Sequence, residues 1–288
     1  MQSHPQIIKA EGGLVIAEYR VSDPKGLFLL FGRGKRPDHR AIKEFVACNP
    51  RVTISHDPCD AAPSFHADND EDGLDQAGDT MANARNDQGW LELLRDGLTF
   101  DLAGLAPGEG KPFPPVSHRF DLSQLPSAET HEVLQLAPGH HLAGGERMMP
   151  IAKGLLGLAR DLVDHFDELD GVIWPASMSA IGHQFFESVI TAWLDGGPFP
   201  ALGLTAFHET ADGALQSEGL DFWINQEVRI EPPLAHDKIA ATRLGVRLIN
   251  QLVLVGGVDS SERVVAPDGT GLVMRPSRNG KFVRVWRE

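Results

Sequence analysis

The sequence predicts an α+β fold of two packed α/β sandwich halves, with helices on one face of antiparallel or mixed sheets. Three observations carry this prediction. Short apolar runs bounded by turn residues, such as Leu27–Phe31 between Gly26 and Gly32, are followed by amphipathic stretches of helical period. Pro107, Pro112, Pro114 and Pro115 crowd one stretch and exclude helix or central strand there. Strand, helix and strand, followed by further strands, recur on both sides of it, an order that suggests a divergent duplication. The expected organisation is residues 1–110 as an N-terminal half with an acidic loop at 56–89, a proline-rich linker at 111–130, and a C-terminal half at 131–288 ending in a β meander.

In chain order, Leu27–Phe31 reads as a buried strand. Asp38 caps a helix reaching about Ala47, with Ile42, Phe45 and Val46 on one face, and Val52–Ser55 is the next strand. Trp90–Leu94 follows a helical pattern, and Leu98–Leu102 a strand. In the second half, Val133–Ala137 is a strand. Ile151, Leu155, Leu158, Leu162 and Phe166 then recur at helical spacing along Glu146–Phe166. Gly171–Trp174 is a buried strand stopped by Pro175, and Ser177 or Ser179 caps the helix that carries Phe185, Phe186 and Trp193. Leu202–His208 and Leu220–Ile230 read as strands, and His236–Val255 as a largely buried helix. The chain closes on three short strands, the last two joined by the hairpin-turn pair Asn279-Gly280.

Composition narrows the function classes. Of the 288 residues, 42% are apolar and 23% charged, enough to build an ordinary core. Forty acids against 26 Lys and Arg give a net charge of -14, which opposes binding to nucleic acid or an anionic membrane surface. The first residues hold no apolar stretch of signal-peptide length and no run is long enough to span a bilayer, so the expectation is a cytoplasmic protein. Two cysteines, Cys48 and Cys59, make no disulfide framework in a chain of this size and read as reduced thiols.

The second half resembles a family of uncharacterised bacterial domains of unknown function. The residues that carry the resemblance are Gly171-Val172-Ile173-Trp174-Pro175 with Ser177, the Phe185-Phe186 helix, and Glu218-Gly219-Leu220-Asp221-Phe222 followed by Glu227-Val228. It spans roughly residues 131–275, and Glu218 stands where the family leads one to expect threonine. The resemblance implies a bacterial origin and carries no activity with it.

Several patterns suggest chemistry. Asp68, Asp70, Asp72 and Asp79 fall at positions one, three, five and twelve of a loop with Gly73 at six, a spacing that suits calcium. Against it stand Asp75 at the eighth position, where an apolar residue belongs, and Pro58 and Pro63 in the entering segment. Between Val52 and Ala84 there are eight acids and no Lys or Arg, so a solvated acidic loop reproduces the same spacing. His56, Asp57, Cys59 and His66 can be drawn as a metal site, as can His140 and His141 with Glu146, but neither has the four-residue helical spacing that aligns two imidazoles. Ser177, Ser179 and His183 lack the glycines of a nucleophile elbow. Gly32-Arg33-Gly34-Lys35 sits between strand and helix, where anions bind, without the Walker spacing. Ten cations gather in two segments, Arg33, Lys35, Arg36, Arg40 and Lys43, and Arg275, Arg278, Lys281, Arg284 and Arg287.

If Leu220–Ile230 is one strand, alternation places Asp221, Trp223, Asn225, Glu227 and Arg229 on its outer face, and Trp223 with Asn225, Glu227 and Arg229 makes an amphipathic surface of the kind that binding sites favour. The functional expectation is therefore a non-enzymatic cytoplasmic binding or adaptor protein. Its partner is a protein or a small-molecule ligand, with no cofactor required and calcium the one ion the spacing suits. The alternative is a metal-assisted hydrolase using the acidic and histidine residues of 56–79.

Overall fold

The run Leu27–Phe31 is apolar at every position because it is buried on both faces. In the computed structural model, which describes residues 26–59, 89–266 and 268–288, it forms β1 (Leu27–Gly32). This strand lies inside an eight-stranded sheet between β6 (His131–Pro138) and β7 (Leu169–Trp174), antiparallel to both. Leu27, Leu29 and Phe31 face a helix-covered core, whereas Phe28 and Leu30 face a second cluster with Val133, Ile173 and Ala180. Each such buried side chain contributes about 1.5–3 kcal/mol relative to an exposed one.

The rest of this sheet is β2 (Val52–His56), β3 (Trp90–Arg95), β4 (Leu98–Ala103), β5 (His118–Phe120) and β8 (Ser179–Gly182), in the order β2-β3-β4-β6-β1-β7-β8-β5. Three helices cover one face: α1 (His39–Cys48), α2 (Met149–His165) and α3 (His183–Leu194). Asp38 caps α1 as its sequence suggests, accepting from the Ala41 amide at 2.9 Å, an interaction worth about 1 kcal/mol. A second, six-stranded sheet has the order β12-β13-β14-β11-β10-β9, from β9 (Ala206–Glu209), β10 (Leu215–Glu218), β11 (Glu227–Ile230), β12 (Glu262–Val265), β13 (Gly271–Pro276) and β14 (Phe282–Arg287). The helix α4 (Lys238–Val255) lies on it, with Gly245 admitting the ring of Phe207. One continuous apolar core joins the two sheets. The fold is thus α+β, with helices on one face of an antiparallel and mixed sheet. No helix among the described residues is long and apolar enough to cross a membrane.

Several local expectations are corrected. Trp90–Leu94 is strand, not helix: Asp96 and Gly97 both take positive φ (51° and 81°), the two-residue turn of a tight hairpin. Leu91, Leu93 and Arg95 then point inward, and Arg95 is buried against Asp161 of α2 at 3.0 Å. The proline-rich 111–130 segment is no spacer between two sheets. Its Phe113, Val116 and Leu122 cover the second face of the large sheet, and β5 pairs in parallel with β8 at its edge. Because β1 pairs with β6 and β7, the described chain passes from one sheet to the other between β8 and β9. Neither Ser177 nor Ser179 caps α3. Both are fully buried, and Ser177 Oγ lies 2.8 Å from Ser179 Oγ and 2.9 Å from the Gly203 carbonyl oxygen. Residues 201–204 form a short turn before β9, and α4 leaves Ile239, Leu254 and Val255 exposed. The acidic stretch 60–88 lies outside the described residues.

Trp174 ends β7 and is 1% exposed, wedged among aromatic side chains. Trp174→Ala is expected to lower the unfolding free energy by about 3–5 kcal/mol in urea titrations. A loss under about 1 kcal/mol would place this side chain outside the core.

Candidate functional site

The segment Leu220–Ile230 is not one strand. Gly219 (φ +91°) and Asn225 (φ +59°) both adopt left-handed backbone, and between them Asp221–Ile224 forms a single helical turn. Gly219 is required there for space as well. A Cβ atom would lie 2.7 Å from Cβ of Ser177 and 2.9 Å from the Ala176 carbonyl, so only glycine lets this loop rest on the turn after β7. The loop is held from beneath by Glu227. Its carboxyl group accepts from the backbone amides of Gly219 (2.8 Å), Asp221 (3.1 Å) and Leu220 (3.3 Å), and from the hydroxyl of Ser217. Desolvation pushes the Glu227 pKa up to about 7, against the hydrogen bonds from Ser217 and the loop amides.

This buckle sets Phe222 and Trp223 against Trp174. The Trp223 ring stacks on Trp174 at 5.8 Å and 21°, and Phe222 meets it edge-on at 5.1 Å. Trp193 and Phe199 close the cluster around Trp223. Beside it lies a cavity of about 310 Å³, lined by Glu146, Arg147, Leu155, Trp174, Pro175, Asp221 and Phe222 among others. The Arg147 guanidinium donates to Asp221 (3.0 Å) and to the side-chain carbonyl of Asn225 (3.1 Å), and lies 5.5 Å over the Phe222 ring. Two indole N–H groups, those of Trp174 and Trp223, are buried with no acceptor among the described residues. The wall therefore offers aromatic side chains, two carboxylates and one guanidinium, and no nucleophile among the described residues.

Of the five residues expected to share one strand face, four meet at this loop by a different route, Asp221 among them with its carboxylate on Arg147. Trp223 is half-buried in the aromatic cluster, Asn225 ends the helical turn and receives Arg147, and Glu227 lies behind the wall. Arg229 does not join them. It pairs with Asp212 and with Glu231 (3.0 Å) and lines an open concavity of about 600 Å³ with Arg278 and Arg284. There Glu231 also takes Arg284, so its carboxylate and Asp212 offset two of the three guanidiniums. The sequence reading missed Arg147 and placed Phe222 on the opposite, core face. The signal within reach was the pair of turn-formers Gly219 and Asn225 bracketing an aromatic pair.

The other patterns resolve as follows. Asp68, Asp70, Asp72 and Asp79 lie outside the described residues. Glu132 occupies the anion-binding position after β1, accepting from the Gly34 amide (3.0 Å) and Arg36 (3.1 Å). Comparison of the chain with protein-family models, with curated proteins and with solved structures found no match.

The raised Glu227 pKa fixes a sign for stability against pH. A carboxyl group whose folded value of about 7 exceeds its ordinary 4.5 favours the fold when protonated. Its contribution is therefore whole below about pH 4.5 and is lost as pH rises through 7, a swing on the order of 3 kcal/mol. Glu227→Gln keeps the shape and removes the titration. Urea unfolding at pH 5 and pH 8 should show a fall in stability larger in the parent than in the variant by that order. Parallel pH profiles would contradict the assignment.

Proposed function

We propose that this chain is a cytoplasmic small-molecule-binding protein whose site is the cavity between Trp174, Phe222 and Arg147. The observation that carries the reading is the Trp174 indole N–H, buried in the cavity-lining side chain and without a protein acceptor. A buried donor left unpaired costs about 1–3 kcal/mol, a cost that a ligand acceptor removes on binding. The aromatic faces supply contact area at little entropic cost, and rigid aromatic anchors of this kind dominate binding energetics. Glu146 and Asp221 outnumber Arg147, so the wall disfavours a net anion. The ligand class that fits is a flat, neutral molecule with a hydrogen-bond acceptor on an apolar body, of a size suited to about 310 Å³. Such binding needs no catalytic group in the cavity.

Prodan, a neutral naphthalene carrying a carbonyl acceptor, is a direct probe, because its emission shifts to the blue in an apolar site. Saturable binding is expected, weakened about fivefold by Trp174→Phe, which keeps a ring and removes the donor. Phe222→Ala should weaken it further. Absence of saturable binding, or equal affinity in all three proteins, would refute the proposal.

A further inference from the structure

Away from the aromatic cavity, the side chain of His39 meets those of Asp57 and Cys59 at the first-helix end of the large sheet. Cys59 Sγ lies 3.9 Å from His39 Nε2, and the other ring nitrogen of His39, Nδ1, lies 3.3 Å from Asp57 Oδ1. The order is thiol, imidazole, carboxylate, with the two imidazole nitrogens facing different partners. The carboxylate is fixed in place: Asp57 is buried, the Cys59 backbone amide donates to its Oδ1 at 2.9 Å, and Lys43 Nζ sits 3.1 Å from its Oδ2. Against the desolvation of burial, these donors hold the Asp57 pKa below its ordinary value, so it stays an anion at neutral pH. His39 is the first residue of α1 and Lys43 follows one turn later on the same face, so one helix aims both groups at Asp57. Cys59 is exposed.

We infer that Cys59, His39 and Asp57 form a nucleophilic thiol site that accepts an acyl group from an activated ester. A thiol is the nucleophile only as thiolate, and a base within reach that is itself oriented by a carboxylate is the arrangement that activates it. In the step, the Cys59 proton passes to His39 Nε2 and the sulfur attacks the ester carbonyl. The S–C bond forms, the C–O bond to the leaving group breaks, and the departing oxygen leaves as a stable anion or takes the proton from His39. Asp57, with Oδ1 3.3 Å from Nδ1, supplies the opposite charge while the imidazolium exists. The same three residues also offer atoms within 4.8 Å of one another to a metal ion, but the Lys43 ammonium on Asp57 opposes a second cation there.

Cys48, also exposed, at the far end of α1, is a control within the same molecule. With p-nitrophenyl acetate the protein should release a burst of one equivalent of nitrophenolate and gain an acetyl group on Cys59. Cys59→Ser should abolish the burst and Cys48→Ser should leave it intact. With limiting iodoacetamide at pH 7, Cys59 should be alkylated about tenfold faster than Cys48, the gain expected when a thiol becomes largely thiolate. His39→Gln should bring the two rates together while the circular dichroism spectrum is unchanged. Asp57→Asn should lower the burst rate, with the one-equivalent amplitude kept. Equal reactivity of the two cysteines in the parent, a rate ratio that survives His39→Gln, or stoichiometric zinc bound with Cys59 protected from alkylation would each overturn the inference. None of these readouts involves the aromatic cavity.

Discussion

A strand of five consecutive large apolar residues can be satisfied only in the interior of a sheet with both faces covered. β1 imposes that condition on the rest of the chain. Its two edges are taken by β6 and β7, the face carrying Leu29 and Phe31 by the helices, and the face carrying Phe28 and Leu30 by the proline-rich segment. Proline suits that covering role, because the stretch that lies over the sheet face before β5 needs no backbone N–H in a ladder. The same stretch that separates two halves on paper is therefore the outer wall of a single sheet.

The aromatic cavity inherits its shape from β7, which ends at Trp174 beside the core, and from the loop that Glu227 gathers. One carboxyl group serving three backbone amides and a hydroxyl does here what a longer stretch of regular structure would do elsewhere. Glu227 is thus a positioning residue, touching loop amides and not the cavity. The residues that carried the resemblance, Glu218 to Phe222 with Glu227, lie together in this one buckle. Glu218 adds a tie to the sheet through His118 at 2.8 Å.

Where sequence signals are local, the elements read correctly. Asp38 at the start of α1, the spacing of Ile151 to Leu162 along α2, and Asn279-Gly280 between β13 and β14 each specify their own geometry within a few residues. Trp90–Leu94 was misleading because its apolar residues suit a short helix as well as a strand, and only Asp96-Gly97 separates the two. The segment 220–230 failed for a related reason: its alternation of apolar and polar residues is real, but Gly219 and Asn225 fold it into a turn. The sites were less legible still. Arg147 and Asp221 are 74 positions apart, and His39 and Cys59 are 20 apart across a strand, so no spacing rule connects them.

The place of β1 also governs how the molecule is made. Its partners are residues 131–138 and 169–174, so among the described strands the first to be synthesised is the one that waits longest for its neighbours. Pairings this remote in sequence raise contact order and slow folding, because a large loop must close before any hydrogen bond compensates. Until β6 emerges, Leu27–Phe31 is a short, uncharged, strand-forming segment with both edges bare, the kind of sequence that seeds aggregation and that chaperones bind. The time that segment stays uncovered during synthesis is thus a kinetic quantity, separate from the stability of the finished fold.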